Sequence, residues 1–336
     1  MSAHSVQAPS AVVMVRPHAF CSNPDTLGDN AFQQRGDVSA AATVAKAAYR
    51  EVSTMARRLQ DAGVTVHLFD DCGQATPDSV FPNNWFSTHA GGHVAIFPMA
   101  ALNRRLERRW DVIDLLKAHY RVQDVIDYSG LEQDAVYLEG TGAMVLDHID
   151  RVAYAVRSSR ADPLALERFC THFNFEPMLF DATDAQGRAV YHTNVLMCIG
   201  SDFVMAGFDM ITDPARRKVV RSRLAENGRT LVELSAAQVG EFAGNALELQ
   251  GSRGRILALS ARALRALTPR QVATLEQSVE LLALDVPTIE TAGGSVRCML
   301  AGIHLKARPV PTSPQAYSND GVSGLVTGLP AAVQAS

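Results

Sequence analysis

Cys298 stands in Gly293-Gly294-Ser-Val-Arg297-Cys298-Met299, directly after an arginine and shortly after a glycine pair. A thiol becomes a strong nucleophile when cations or backbone N–H groups favour the thiolate, and a glycine pair lets a substrate approach the main chain closely. Gly294 and Arg297 are therefore candidate substrate-binding residues beside it. By type alone, a free cysteine serves equally well as a small apolar filler. The rest of the chain supplies its company: Glu139 in Tyr137-Leu-Glu-Gly-Thr-Gly142, His192 and Asn194 in Tyr191-His-Thr-Asn194, and the pair Asn83-Asn84. A thiol, an imidazole and an acidic or amide group are the parts of thiol-based nucleophilic catalysis, in which the imidazole exchanges protons and the third group orients or assists it.

These residues lie far apart in the chain, so a recurring element must bring them together. Asn84–Phe97, Gly142–Val156, Asn194–Ala206 and Asn245–Leu259 each read as a strand, a tight turn and a strand. Each is followed by a helix (102–119, then from Pro163, from Pro214, and from Ala261 and Pro269) and by a further strand (122–126, 175–180, 230–234, 279–284). Val296–Leu305 is a fifth copy, truncated near the C-terminus, while the strand Ala11–Val15, the helix Ala40–Ala62 and the strand Val64–Phe69 open the chain. One such unit cannot bury its faces alone. Five in sequence, with ends able to meet, predict an α/β fold of pseudo-symmetric units closed into a ring, with the helices outside.

The residues that open each hairpin would then face one axis: Asn83-Asn84, Glu139, His192 with Asn194, Asn245 and Cys298. Asn245, in a Gly-Asn pair before a strand, reads as turn chemistry. His89 and His93 flank a Gly-Gly turn and are expected to face solvent, and Cys198 to lie in the core. The polar segment Arg16–Gly36 has the length and composition of a flap over a site.

Composition removes other classes. With 336 residues, 47% hydrophobic and 20% charged, the chain can build a large core. The expected organisation is a disordered lead (1–10), a single catalytic domain (11–305) and an extension without its own core (306–336). The net charge is −4 and the pI about 6.2, and the densest basic stretch, Arg104–Arg109, alternates with Leu102, Leu106 and Trp110 as a solvated helix face would. No nucleic-acid partner and no membrane span are expected. Five scattered cysteines and the lack of a secretory pattern predict a cytoplasmic protein with reduced thiols and no metal site. A homo-oligomer stays open.

Leu138-Glu-Gly-Thr-Gly142, His192-Thr-Asn194 and Gly293–Met299, in that order, resemble the guanidino-group-modifying amidinotransferase and hydrolase superfamily. It includes arginine deiminase, dimethylarginine dimethylaminohydrolase and the arginine dihydrolases. The likeness runs from about Val12 to Leu305. It is strongest toward the citrulline-utilisation hydrolase (CtlX) branch, through Phe81-Pro-Asn-Asn-Trp85 and Tyr191-His-Thr-Asn-Val195. The resemblance implies the five-fold α/β-propeller known as the pentein fold, Cys298 as nucleophile, His192 as acid and base, Glu139 as its partner, and no cofactor. Arg160 resembles the family's substrate-carboxylate arginine. Where arginine deiminase holds the guanidinium with aspartates, this chain places Asn84 (or Asn83) and Asn194. Asparagine offers a donor and an acceptor without net charge, whereas mismatching a buried charged partner costs on the order of 3–5 kcal/mol. The resemblance therefore implies a small amino-acid substrate with a neutral ureido group, citrulline, cleaved to ornithine, ammonia and carbon dioxide. Deimination or dihydrolysis of arginine, hydrolysis of dimethylarginine, an amidinotransferase and a catalytically silent binding protein remain as alternatives.

Overall fold

The computed structural model describes residues 6–36 and 38–309. In chain order, β1 (Ala11–Pro17), α1 (Ala41–Asp61) and β2 (Thr65–Asp71) come first, followed by β3 (Phe86–His89), β4 (His93–Ile96), α2 (Trp110–His119) and β5 (Asp124–Asp127). The next unit comprises α3 (Gly140–Ala143), β6 (Met144–Asp147), β7 (Val152–Val156), α4 (Pro163–Phe173) and β8 (Glu176–Phe180). After it run α5 (Thr193–Leu196), β9 (Met197–Ile199), β10 (Phe203–Ala206), α6 (Pro214–Ala225) and β11 (Thr230–Glu233). The chain continues through α7 (Ala236–Gly240), β12 (Leu247–Gln250), β13 (Arg255–Ser260), α8 (Ala261–Ala266), α9 (Pro269–Leu275) and β14 (Glu280–Leu284), and ends in α10 (Pro287–Glu290) and β15 (Ala301–Gly302).

These strands form five three-stranded sheets of one design. In each, a short first strand pairs antiparallel with the second, and a helix crossover returns the third strand parallel to the second. The fifth sheet is completed from both chain ends: β15 pairs antiparallel with β1, Val12 opposite Gly302, and β1 runs parallel to β2. The truncated fifth hairpin of the sequence is thus a full sheet whose longest strands come from the N-terminus. One cavity is lined from the first strand of every sheet, by Ser87, Leu146, Cys198, Leu247 and Gly302.

Local chemistry explains where the helices start. Asp162 and Asp213 cap α4 and α6, each followed by a proline at the first helical position. Each long helix buries one stripe against its sheet: Val52, Met55, Ala56 and Leu59 of α1 pack with Val12 and Met14 of β1, and Leu166, Phe169 and Phe173 of α4 with Ala153 and Ala155 of β7.

Four expectations change. The helix expected over 102–119 is a 3-10 turn (Asn103–Glu107), two extended residues and α2, and its polarity is inverted. Leu102 and Trp110 are 70% and 62% exposed whereas Arg104 is buried, because its guanidinium turns inward to carboxylates. His89 does not face solvent but packs among Phe169, Phe173 and Phe175, its Nε2 on the Ser87 hydroxyl. The lead is anchored from Gln7, whose Nε2 donates to the Leu146 and Ile199 carbonyls and whose Oε1 accepts from the His148 amide. The first residues of the C-terminal extension are tied down too, with Lys306 and Arg308 bonded through their backbones to Arg121 and His119; residues 310–336 lie outside the described chain. Among the described residues no helix is long and apolar enough to cross a membrane.

Candidate active site

A one-turn segment precedes the first strand of each sheet, and these segments carry the polar residues the sequence singled out. Asn83 and Asn84 end the 3-10 turn before β3. Glu139 and His192 occupy matching positions ahead of α3 and α5, five residues before their strands (139 to 144, 192 to 197). Asn245 and Cys298 close turns of the same kind, bonded back to Phe242 and Ser295. Repetition of one local structure therefore delivers a carboxylate, an imidazole, amides and a thiol to one place. A single cleft is lined by Asp78, Asn84, Arg104, Arg160, His192 and Cys298, together with Gly294.

Two side-chain amides aim at the thiol. Asn194 Nδ2 donates to Cys298 Sγ at 3.2 Å and Asn245 Nδ2 at 3.3 Å. Asn245, whose sequence context suggests turn chemistry, also donates to the Asn194 carbonyl and accepts from the Arg297 amide, so it locks both neighbours of the sulfur in place.

His192 Nε2 lies 2.9 Å from Glu139 Oε2, with both groups buried. Burial alone would push Glu139 up, but Arg160, His192 and Arg104 override it and hold the carboxyl below its usual range. An ionised Glu139 can only accept, so Nε2 carries the hydrogen and Nδ1 is left as the basic nitrogen. Burial lowers the His192 pKa, an effect that Glu139 opposes, and the ring is neutral at pH 7. Its Nδ1 borders Gly142: a Cβ placed there would lie 2.8 Å from Nδ1 and 2.1 Å from Asn84 Nδ2. Only glycine admits both side chains.

Arg104 is fixed by two 2.9 Å bonds to Glu107 and reaches Glu139 at 3.4 Å. Arg160 lies 3.6 Å from Glu139 and stacks on Tyr191, whose hydroxyl donates to the Gly293 carbonyl at 2.5 Å. Its fork is bonded to Asp29, in the segment between β1 and α1. That segment also donates from Asn30 Nδ2 to the Ala292 carbonyl and from the Gln34 amide to the Thr291 carbonyl, and it therefore lies against the cysteine loop. Gly293, at φ +82°, passes so close to the Asn30 amide that a Cβ would lie 2.3 Å from it. The space left in the cleft is about 10 Å³, roughly one water.

Three buried polar atoms near this space lack a protein partner: Asn84 Nδ2, Asn194 Oδ1 and Asp78 Oδ1. Leaving such groups unpaired costs about 1–3 kcal/mol each, so they are suited to meeting a polar ligand. Asp78, Arg104 and Tyr191 are cleft residues that the sequence pattern does not single out. For Asp78 a signal exists, its position three residues before Phe81-Pro-Asn-Asn; Arg104 is hidden by its alternation with exposed leucines. Four candidates are absent from the cleft lining: Glu139, which stands behind His192, Asn194, which meets the site through Cys298 Sγ, and Arg297 and Asn83. Arg297 lines the cavity on the strand side of Cys298, because the peptide between neighbours turns their side chains apart. The Asn83 side chain is buried away from the cleft lining, and only its backbone carbonyl, accepting from Thr141, supports the site. Among the described residues no three of His, Cys, Asp and Glu converge in a way that could hold a metal ion.

Known structures share this architecture. The N-terminal domain of ArgZ, covalently bound to a reaction intermediate, superposes with a TM-score of 0.68 at 16% identity, covering 87% of this chain and 97% of that domain. ArgZ is an arginine dihydrolase from the ornithine–ammonia cycle in cyanobacteria. AgrE with ornithine and NAD+ matches at a TM-score of 0.68 and 16% identity, over 89% of this chain but 40% of its own length. A dimethylarginine dimethylaminohydrolase carrying an S-methyl-L-thiocitrulline adduct matches at 0.60 and 13%, over 88% and 100%. No curated protein sequence matches the chain. The family described as N,N dimethylarginine dimethylhydrolase, eukaryotic, matches residues 16–305, and by that match the chain belongs to the arginine deiminase and dimethylarginine dimethylaminohydrolase superfamily of pentein proteins.

Proposed function

We propose that this chain is a cysteine-dependent hydrolase that cleaves a C–N bond of a ureido amino acid, with citrulline as the substrate. One observation carries the choice. Around the thiol stand neutral amides, those of Asn84, Asn194 and Asn245, while the carboxylates of the cleft face arginines: Glu139 lies within 4.0 Å of Arg104 and Arg160, and Asp78 lies 3.7 Å from Arg104. Beside the thiol a guanidinium would find amides in place of a carboxylate, whereas a ureido group needs just one donor and one acceptor set.

In this reading the Cys298 thiolate attacks the ureido carbon, with His192 Nδ1 having received the thiol proton. His192 returns the proton to the departing δ-nitrogen, and the bond from that nitrogen to the ureido carbon breaks, releasing ornithine and leaving an S-carbamoyl enzyme. Water deprotonated by His192 then adds to the carbon and frees the thiolate and carbamate, which decomposes to ammonia and carbon dioxide. Glu139 orients His192 and offsets its transient charge. Asn84 and Asn194 hold the planar head. Arg160 receives the α-carboxylate, and the unpartnered Asp78 Oδ1 receives the α-ammonium. We further infer that the five sheets close into a pentein ring forming one catalytic unit over 11–305. Supporting this are the fifth sheet built from both chain ends and the one cavity touched by all five first strands. Five free thiols support a cytoplasmic location.

The alternative is arginine, the substrate class of ArgZ and the ligand bound by an AgrE variant. Incubating the purified chain separately with citrulline and with arginine decides between them. Ornithine and ammonia from citrulline support the proposal; turnover of arginine with inert citrulline overturns it.

Two further outcomes are expected at this site. Gly142→Ala should lower kcat by about 100-fold, because the new methyl displaces Asn84 and His192 by an ångström or more; single-turnover kinetics would register it. Asp29→Asn should lower KM several-fold with little change in kcat, because Asp29 occupies the Arg160 fork that a substrate carboxylate must take. An unchanged KM would remove Asp29 as a competitor.

A further inference from the structure

The cavity ringed by the five first strands lies immediately beyond Cys298 along the chain and belongs to none of the chemistry above. Its space is about 40 Å³, where one water needs roughly 10–15 Å³. Arg297 projects into it from the peptide next to the cysteine. The guanidinium has one hydrogen bond, from Nη1 to the Leu300 carbonyl at 3.1 Å, and among the described residues no carboxylate lies within 4.0 Å of it. The carboxylates on the adjoining strands are already engaged, Glu248 with Ser201 and Arg255 and Asp147 with Arg229.

The remaining polar lining is neutral. The Gln7 amide is spent on two carbonyls, Thr88 bridges Gly302 and the His304 amide, and His304 stacks on His148 with ring centroids 3.8 Å apart. Burial is the largest cause that holds both histidines below their ordinary pKa, and the Arg297 charge adds to it from across this space. Burial lowers the arginine's own pKa, and only the thiols of Cys298 and Cys198 oppose it. The Arg297 side chain is only partly shielded from solvent, yet a cation set against an apolar and neutral lining without a counter-charge is costly, and proteins pair such charges.

We propose that the axial cavity is an anion site, in which a small monovalent anion of the size of chloride or formate sits against the Arg297 guanidinium. The neutral lining supplies no second cation for a dianion.

The test uses the full chain. Thermal unfolding is followed at fixed ionic strength while chloride, bromide or formate replaces gluconate, which is too large to enter. The midpoint should rise and saturate by about 2–4 °C with each small anion, as for a ligand that binds only the folded state. Crystals grown in bromide should give an anomalous peak beside Arg297. Arg297→Lys should keep the anion-dependent rise and Arg297→Met should lose it. Equal midpoints in chloride and gluconate, or no bromide peak in the wild-type cavity, would overturn the proposal. So would a peak of equal height in Arg297→Met, which marks an adventitious ion only. The wild-type bromide crystal decides the matter even where Arg297→Met does not fold.

Discussion

Cys298→Ala is expected to lower turnover of citrulline, and of arginine if it is used, by on the order of 10⁴–10⁶-fold, the range seen when a covalent nucleophile is deleted. The bland alternative is that Cys298 fills space, since it is buried and adjoins the apolar cluster of Val296, Met299 and Leu300. A filler has no use for two amide donors. Asn194 and Asn245 both spend an N–H on this sulfur while Asn194 Oδ1 stays unpartnered, an arrangement that fixes the sulfur beside an open acceptor. Among the other buried thiols, Cys170 and Cys198 are pushed up to about 12 by burial, so alkylation at neutral pH is expected at Cys298 and at the exposed Cys21 and Cys72. The measurement is kcat/KM by ammonia release, alongside thermal unfolding to show that the variant is folded. Retention of more than about 1% of turnover by a folded Cys298→Ala protein would leave the covalent mechanism without its nucleophile.

Much of this site is legible in the sequence because the repeat makes it so. Glu139, His192 and Cys298 align from the sequence alone, since each opens a hairpin, and the first two are followed by a helix and a third strand in the same order. Proline positions mark the starts of α4, α6 and α9, where capping side chains and the fixed φ of proline dictate the boundary locally. The failures share a different cause. Arg104 and Leu102 exchange places because the buried partners of Arg104, Glu107 and Glu139, outweigh the solvation of its charge; one of them lies 35 residues away. Gln7 has the local look of a disordered lead because its side chain bonds to residues 139 to 192 positions distant. Arg297 adjoins Cys298 and so suggests a substrate contact, yet adjacent side chains of an extended or turning backbone point apart. Local pattern reports elements. It does not report which long-range partner a charge will find.

Asn84→Asp carries the largest expected change in specificity. Asn84 is buried and lines the cleft, and its Nδ2 has no partner in the protein. A carboxylate at this position would have to be ionised beside a ureido head that cannot compensate it, or take up a proton and lose its acceptor role. A guanidinium supplies the missing charge. With about 3–5 kcal/mol at stake for a buried charge with and without its partner, kcat/KM for citrulline should fall by about 10²–10³-fold while that for arginine falls far less or rises, so that their ratio inverts. Asn84 is the better probe than Asn194, because Asn194→Asp would also set a negative charge against the Cys298 sulfur and suppress both substrates alike. The folded variant should unfold more readily in the absence of ligand and be stabilised by arginine more than by citrulline, since only the cation pairs the new charge. If both substrates lose equal activity in folded Asn84→Asp, position 84 does not read the charge of the substrate head. The choice between ureido and guanidinium would then rest with Asp78 and Glu139.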